Sequence, residues 1–265
     1  MNILDTIAEA TKERVAVAKK NIDSTQMRRE AEGMESNTGF PFQKALAAGG
    51  MSFICECKKA SPSKGLIAAD FPYMDIARQY EEAGASCISV LTEPKWFLGS
   101  NDYLKEIASM VKIPCIRKDF TVDEYMIYEA KCLGASAVLL ICSILSKDQL
   151  KEYLDIAHGL GLSAIVETHD DKEMEQAIEA KAGIVGVNNR NLKDFSVDVN
   201  NSMRLREMAP EGMIFVAESG IKVREDVAVL EEAGVDAVLV GETLMRAKDK
   251  RAMLNYLKGL GDRPE

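Results

Sequence analysis

The 265-residue chain has only two histidines, one tryptophan and an aromatic content of 6%. It has no run of about 18 apolar residues, so a membrane-spanning helix is not expected. Its first stretch, Met1 to Lys20, mixes Asp5, Glu9, Lys12, Glu13 and Arg14 into the apolar positions and lacks the continuous core of a signal peptide. Positive charge is also scarce: 33 Lys and Arg against 42 Asp and Glu leave a net charge of -9, a poor balance for nucleic-acid binding. An anionic ligand would therefore need locally concentrated cations. Six cysteines occur, at 55, 57, 87, 115, 132 and 142, but none forms a C-x-x-C pair. With so few histidines, zinc-ligand spacing is missing and a Ser-His-Asp triad has little scope. The cysteines fall mostly in apolar runs and read as buried free thiols in a reducing cytoplasm.

What the chain does have is a hydrophobic fraction of 47% arranged in short runs. Eight such runs, Ser52–Cys57, Ser86–Leu91, Cys115–Lys118, Ala137–Ile141, Ser163–Glu167, Ile184–Asn188, Ile214–Glu218 and Ala237–Val240, are too short for helices and nearly continuous in hydrophobicity, as buried parallel strands are. Amphipathic helical patterns separate them, among them Met74–Ala83, Asp102–Val111, Asp123–Leu133, Lys147–Leu160 and Asp171–Ala180. A helix–Gly–strand phrase recurs at Gly84, Gly134, Gly183 and Gly234, in steps of 50, 49 and 51 residues. Each Gly is placed to end a helix in the left-handed conformation, and the step matches two βα units. The pattern predicts an α/β fold, a single (β/α)8 TIM barrel in residues 51–265, with a doubly wound open sheet as the alternative. Residues 1–50 read as an N-terminal helical extension, one long helix and a short second one followed by Phe40-Pro41-Phe42, too small for a separate domain and expected to cover one end of the barrel.

Active sites of such barrels lie at the C-terminal ends of the strands. Five runs end in polar groups that an apolar core does not need: Glu56 and Lys58, Lys118, Glu167, Asn188 with Arg190, and Glu218 with Ser219. Three carboxylates and three cations, Lys58, Lys118 and Arg190, are expected to pair there, because an unpaired charge in a dry mouth costs several kcal/mol. Gly220 and Gly241 follow the last two runs, where backbone N–H groups often cradle a phosphate; two ordinary turns that need glycine are the plainer alternative. The Lys59–Gly65 loop brings Ser61 and Lys64 and is long enough to close over a ligand. Trp96-Phe97-Leu98 suggests an apolar lining, or packing under the N-terminal helix. His169 reads as a polar loop residue or the neighbour of a helix cap, and His158 as a helix residue.

These residues stand in phrases that together resemble the indole-3-glycerol phosphate synthase family: Glu56-Cys57-Lys58-Lys59-Ala60-Ser61-Pro62-Ser63-Lys64-Gly65, Phe97-Leu98-Gly99-Ser100, Arg117-Lys118-Asp119-Phe120, Gly186-Val187-Asn188-Asn189-Arg190-Asn191-Leu192, Ala217-Glu218-Ser219-Gly220-Ile221 and Val240-Gly241-Glu242-Thr243-Leu244-Met245. The resemblance runs from the N-terminal helix to Met245. It implies a small phosphorylated substrate, 1-(2-carboxyphenylamino)-1-deoxyribulose 5-phosphate, ring closure with loss of CO2 and water, and no metal or organic cofactor. It implies a general acid at Lys118, a lysine engaging the substrate carboxylate at Lys58, proton transfer at Glu167, and further catalytic-site groups at Glu56, Asn188 and Glu218. Arg190 and Ser219 would contact the substrate, Phe97, Phe120, Leu139 and Ile141 would line the aromatic ring, and Ser61, Gly220, Gly241 and Glu242 would hold the phosphate. Neither a nucleic-acid nor a membrane partner is expected; oligomeric state is not legible, and a monomer is the expectation. Two departures stand out: Glu242 replaces a common serine, and Glu167-Thr168-His169 replaces the usual Glu-Val-His. The competing readings are phosphoribosylanthranilate isomerase, a Schiff-base aldolase using Lys118, and a metabolite-binding barrel without catalysis.

Overall fold

The computed structural model describes residues 3–191 and 195–264. Met1, Glu265 and Leu192, the last residue of one motif, lie outside the described residues. Eight parallel strands close into a barrel in chain order: β1 (Ser52–Cys57), β2 (Cys87–Leu91), β3 (Cys115–Lys118), β4 (Ala137–Ile141), β5 (Ser163–Thr168), β6 (Ile184–Asn188), β7 (Ile214–Glu218) and β8 (Ala237–Val240), with β8 pairing back on β1. The open-sheet alternative is excluded by that closing pair.

Strand alternation divides the apolar residues into two sets. Ile54, Cys87, Ile116, Leu139, Ile141, Ile165, Ile184, Ile214, Val216 and Leu239 form one buried cluster, the barrel interior. The intervening residues, Cys55, Cys57, Cys115, Val138, Val166, Val185, Phe215 and Val238, pack in a second cluster with the surrounding helices. A run with both faces buried loses polar alternation, which is why these strands read as continuous apolar runs. All six cysteines are free thiols.

The connecting helices include α4 (Tyr73–Glu82), α5 (Asn101–Met110), α6 (Tyr125–Cys132), α7 (Lys147–Gly159), α8 (Asp171–Glu179), α9 (Asn200–Arg206), α10 (Arg224–Glu232), α11 (Glu242–Arg246) and α12 (Lys250–Leu257), numbered after three N-terminal helices. Their ends fall within two residues of the five patterns read from sequence. Local chemistry fixes several starts: Ser100 and Asp170 cap α5 and α8, and Ser146 with Gln149 forms a capping box on α7. Gly84, Gly134 and Gly234 take left-handed conformations, as expected. Gly183 does not. At that repeat the left-handed residue is Lys181, two positions earlier, with φ of 59°. The turn is conserved in shape and filled by a lysine, at a steric cost of roughly 1 kcal/mol.

The N-terminal extension contains α1 (Ile3–Asn21), α2 (Ser24–Glu32) and a third helix, α3 (Pro41–Leu46), which starts at the Phe40-Pro41-Phe42 phrase and is not expected from the sequence. It covers both ends of the barrel rather than one. Phe42 and Leu46 of α3 are buried in the interior cluster, and the Ser52 hydroxyl at the start of β1 donates to the Ala45 carbonyl. At the opposite end, Ile3, Leu4 and Ile7 of α1 line the mouth.

Candidate active site

The C-terminal ends of the strands surround a cavity of about 420 Å³. Every site residue that the family resemblance implies lines it: Glu56, Lys58, Ser61, Phe97, Lys118, Phe120, Leu139, Ile141, Glu167, Asn188, Arg190, Glu218, Ser219, Gly220, Gly241 and Glu242. None of the six cysteines does.

On the cavity floor, Lys118 Nζ lies 3.2 Å from Glu218 Oε2 and 3.5 Å from Glu167 Oε2. The three carboxylates are almost wholly buried, whereas 14% of the Lys118 side chain is exposed. Lys58 pairs with Glu56, and the Ser89 hydroxyl donates to Glu56 Oε2 at 3.2 Å. Burial alone would lower the Lys118 pKa, but Glu218, Glu167 and Glu56 outweigh it and raise it, so the group is held as an ammonium. Glu56 and Glu167 are lowered despite burial, Glu56 mainly by Lys58 and Lys118, and Glu167 by Lys118 and His169. Glu218 moves the opposite way: burial and the neighbouring Glu167 push it up against the pull of Lys118. Two carboxylates on one lysine, displaced in opposite directions, separate a proton donor from a base.

Two glycines make this packing possible. Gly186 lies in β6 opposite Glu167, and a Cβ there would come within 2.4 Å of Glu218 Oε1 and 2.7 Å of Ile165 Cγ2. A Cβ on Gly241 would meet Glu56 Oε1 at 2.6 Å and Lys58 Nζ at 3.2 Å. Gly186 was not singled out from sequence, although a glycine inside a strand pattern signals close approach.

The expected charge pairing needs one correction. Arg190 Nη1 donates to the Phe195 carbonyl at 3.2 Å, and among the described residues no ion pair joins Arg190 to the three carboxylates. The third cation is His169, whose Nε2 lies 3.3 Å from Glu167 Oε1 and whose Nδ1 lies 2.9 Å from Glu173 Oε2. It does adjoin the α8 cap, as read, but its ring also reaches the carboxylate cluster. The plain loop reading missed this because Glu167 and Glu173 flank it at offsets of two in a strand and four across a helix start, a pairing that sequence spacing alone does not fix.

On one side of the floor is an apolar wall. Phe97 and Phe120 have ring centroids 6.0 Å apart, beside Leu139 and Ile141 of β4 and the α1 residues. Phe97 is held by the buried Glu93, whose carboxylate accepts from the backbone N–H groups of Lys95, Trp96 and Phe97 at 2.7–2.9 Å. Trp96 packs against the interior cluster with α1 rather than lining the cavity. On another side are the turns after β7 and β8. Ser219 and Gly220 are both left-handed, at 68° and 92°, and the Ser219 hydroxyl donates to Asn188 Oδ1 at 3.0 Å. No side chain caps α11, so the N–H groups that follow Gly241 are open to an anion. The Glu242 carboxylate is engaged by Arg246 at 3.0 Å and approached by Lys64 at 3.8 Å. The loop after β1 is folded into a small hairpin, Ala60–Ser61 against Gly65–Leu66, and Ser61 is buried.

A sequence profile of the indole-3-glycerol phosphate synthase family matches residues 4–257. The chain belongs to this family. An indole-3-glycerol phosphate synthase of Ruminiclostridium cellulolyticum is 56% identical over 257 residues, spanning 97% of this chain and 99% of that protein. Another, from Endomicrobium trichonymphae, is 53% identical over 256 residues, with the same coverage. Among solved structures, 3-hexulose-6-phosphate synthase from Salmonella typhimurium superposes with a TM-score of 0.66 at 14% identity, over 79% of this chain and 98% of that one. That likeness is one of fold. In this member of the family the polar strand ends described above converge on one cavity.

Proposed function

We propose that this chain converts 1-(2-carboxyphenylamino)-1-deoxyribulose 5-phosphate to indole-3-glycerol phosphate in tryptophan biosynthesis, acting as a carboxy-lyase. The observation that carries the reading is Lys118, an ammonium held between Glu167 and Glu218 and opening into a cavity with an apolar wall and two anion-accepting turns. The aromatic ring lies against Phe97, Phe120, Leu139 and Ile141. The phosphate is held by Ser61 and by backbone N–H groups at Gly220, Gly241 and Glu242, with Arg190 and Ser219 contacting the substrate.

Fixing the two ends of the substrate brings the ring carbon that carries the carboxylate to the ribulose carbonyl. As the carbon–carbon bond forms, the carbonyl oxygen gains negative charge and takes a proton from Lys118. Lys58, steadied by Glu56, engages the substrate carboxylate, whose loss as CO2 returns its bonding electrons to the ring. The new hydroxyl then leaves as water on taking a proton from the Lys58 ammonium, while Glu167 takes the proton from the neighbouring carbon next to the nitrogen and the electrons of that C–H bond form the ring double bond, with Asn188 and Glu218 holding the reacting region. The work needs one chain, and a monomer in the reducing cytoplasm suits six free thiols.

Two rivals fit the geometry less well. An isomerase with a cysteine acid–base partner would need a thiol in the cavity, and Cys55 and Cys115 are buried behind the strands with pKa values pushed up to about 12 by burial. A Schiff-base aldolase needs a neutral lysine, whereas its neighbours hold Lys118 protonated. The test is to mix chelator-treated protein with the substrate and follow indole fluorescence and CO2 release. Equal amounts of both products are expected. Binding without turnover would overturn the reading in favour of a non-catalytic barrel.

A further inference from the structure

His169 has a more specific environment than a loop histidine requires. It follows β5 directly and precedes Asp170, the N-cap of α8. Its backbone N–H donates to Glu173 Oε2 at 2.8 Å, its Nδ1 lies 2.9 Å from the same oxygen, and its carbonyl accepts from Asn201 Nδ2 at 3.1 Å. These contacts fix the ring in one orientation. Its remaining nitrogen, Nε2, is buried without a hydrogen-bond partner among the described residues and lies 3.3 Å from Glu167 Oε1 as a charge pair, while the other Glu167 oxygen faces Lys118. The result is a chain Lys118–Glu167–His169–Glu173, in which Lys118 and Glu167 line the cavity and His169 and Glu173 lie behind it, with 18% and 17% of their side chains exposed.

We propose that His169 is a positioning residue for the ring-closure reaction: clamped by Glu173, it holds the Glu167 carboxylate against Lys118 and keeps it ionised for proton uptake. The inference rests on the function proposed above. Burial would favour the neutral imidazole, but the close contacts and charges of Glu167 and Glu173 raise the His169 pKa to about 10, so it is a cation at neutral pH. The other groups around the pair are consistent with this. Lys118 from β3 faces Glu167, Glu218 from β7 faces Lys118, and Asp170 is turned onto the α8 N-terminus. Cys142, packed near Glu173, is held as a neutral thiol by burial. From α9, Asn201 contributes a neutral amide and Arg204 is paired with Asp171.

The test uses His169→Asn and His169→Gln in the full chain, with kcat and KM measured across pH. The Asn amide mimics Nδ1 and keeps the Glu173 contact; the Gln amide mimics Nε2 and keeps a donor for Glu167. Neither carries charge. His169→Asn should lower kcat by roughly 10- to 100-fold, with little change in KM, because the phosphate turns and apolar wall are untouched. His169→Gln should recover part of that loss. In both, the acid limb of the kcat profile should move to higher pH by about one unit, since an uncompensated Glu167 protonates more easily. A wild-type acid limb in both variants would overturn the proposal, as would equal losses in the two. If His169→Asn fails to fold, the limb in His169→Gln decides alone. A wild-type protein that does not turn over the substrate would instead remove the functional reading itself, and the inference with it.

Discussion

Lys118 is the acid of the proposed reaction, and its ammonium is costly to keep in so dry a place. Glu167 and Glu218 compensate for the lost water, which is why one lysine faces two carboxylates rather than one. Lys118→Met should reduce kcat by roughly 10²-fold or more, the scale of losing a positioned acid, with steady-state kinetics on the ring-closure assay as the check. It should also expose how the two carboxylates share a proton, because they lose their common cation. Gly186 tests the same geometry from behind. Gly186→Ala places a methyl where Glu218 Oε1 and Ile165 Cγ2 already stand. Overpacking of that kind should destabilise the fold by about 1–3 kcal/mol in urea unfolding. Displacing Glu218 from Lys118 should lower kcat more than it raises KM.

At the scale of elements, the extension is tied to the strand that carries Lys118 by one buried carboxylate. Asp119, the residue after Lys118, is fully buried and accepts two hydrogen bonds from Arg14 of α1, at 2.7 and 3.0 Å. It also accepts from Thr92 at 2.5 Å, while Arg117 lies 3.6 Å away and reaches on to Glu129 of α6 and to Asn101 of α5. The end of β3 is thereby braced by α1, α5 and α6 together. Removing Arg14 leaves Asp119 with fewer partners in the interior, although Arg14 is 28% exposed and Arg117 and Thr92 remain. Arg14→Met should therefore cost about 1–3 kcal/mol, measured as a fall in the urea midpoint at constant m-value. A midpoint equal to that of the wild-type protein would mean that Arg117 and Thr92 suffice.

For the whole molecule, the buried charges set opposite pH limits on stability. Asp119, Glu56 and Glu167 are held below their ordinary values, so their contribution is present above the unfolded pKa and is lost as acid protonates them in the folded state. His169 is raised from 6.5 to about 10, so its contribution is complete below pH 6.5 and is lost as pH rises through 10. Glu218, raised from 4.5 to about 7 by burial and by Glu167, loses its contribution between those values, so it acts on the acid side of neutrality and not on the alkaline flank. Unfolding free energy measured against pH should show a dome, with an acid flank set by the carboxylates and a decline on the alkaline side. That decline should be shallower in His169→Asn, where the titrating ring is gone. An identical alkaline flank in the variant would place the titration elsewhere.

The barrel was legible in the sequence because each strand is buried on both faces and each helix on one, so burial writes two distinct periods into the chain. Lys58, Lys118, Glu167, Asn188 and Glu218 were legible for a related reason: a polar group that ends an apolar run has no place in a core, and in a barrel all such ends meet on one rim. The sequence thus determined the fold class, the rim that carries the site and most of the groups on it. It did not determine which charges pair. Arg190 and His169 are both cations near the rim, and only the tertiary structure turns one toward the Phe195 carbonyl and the other toward Glu167. Nor did it determine that α1 and α3 close opposite ends, that Gly186 makes room for Glu218, or that Lys181 takes the left-handed place expected of Gly183. These outcomes depend on distances between segments far apart in the chain, where ion pairing and steric contact change over an ångström, and no local pattern records such distances.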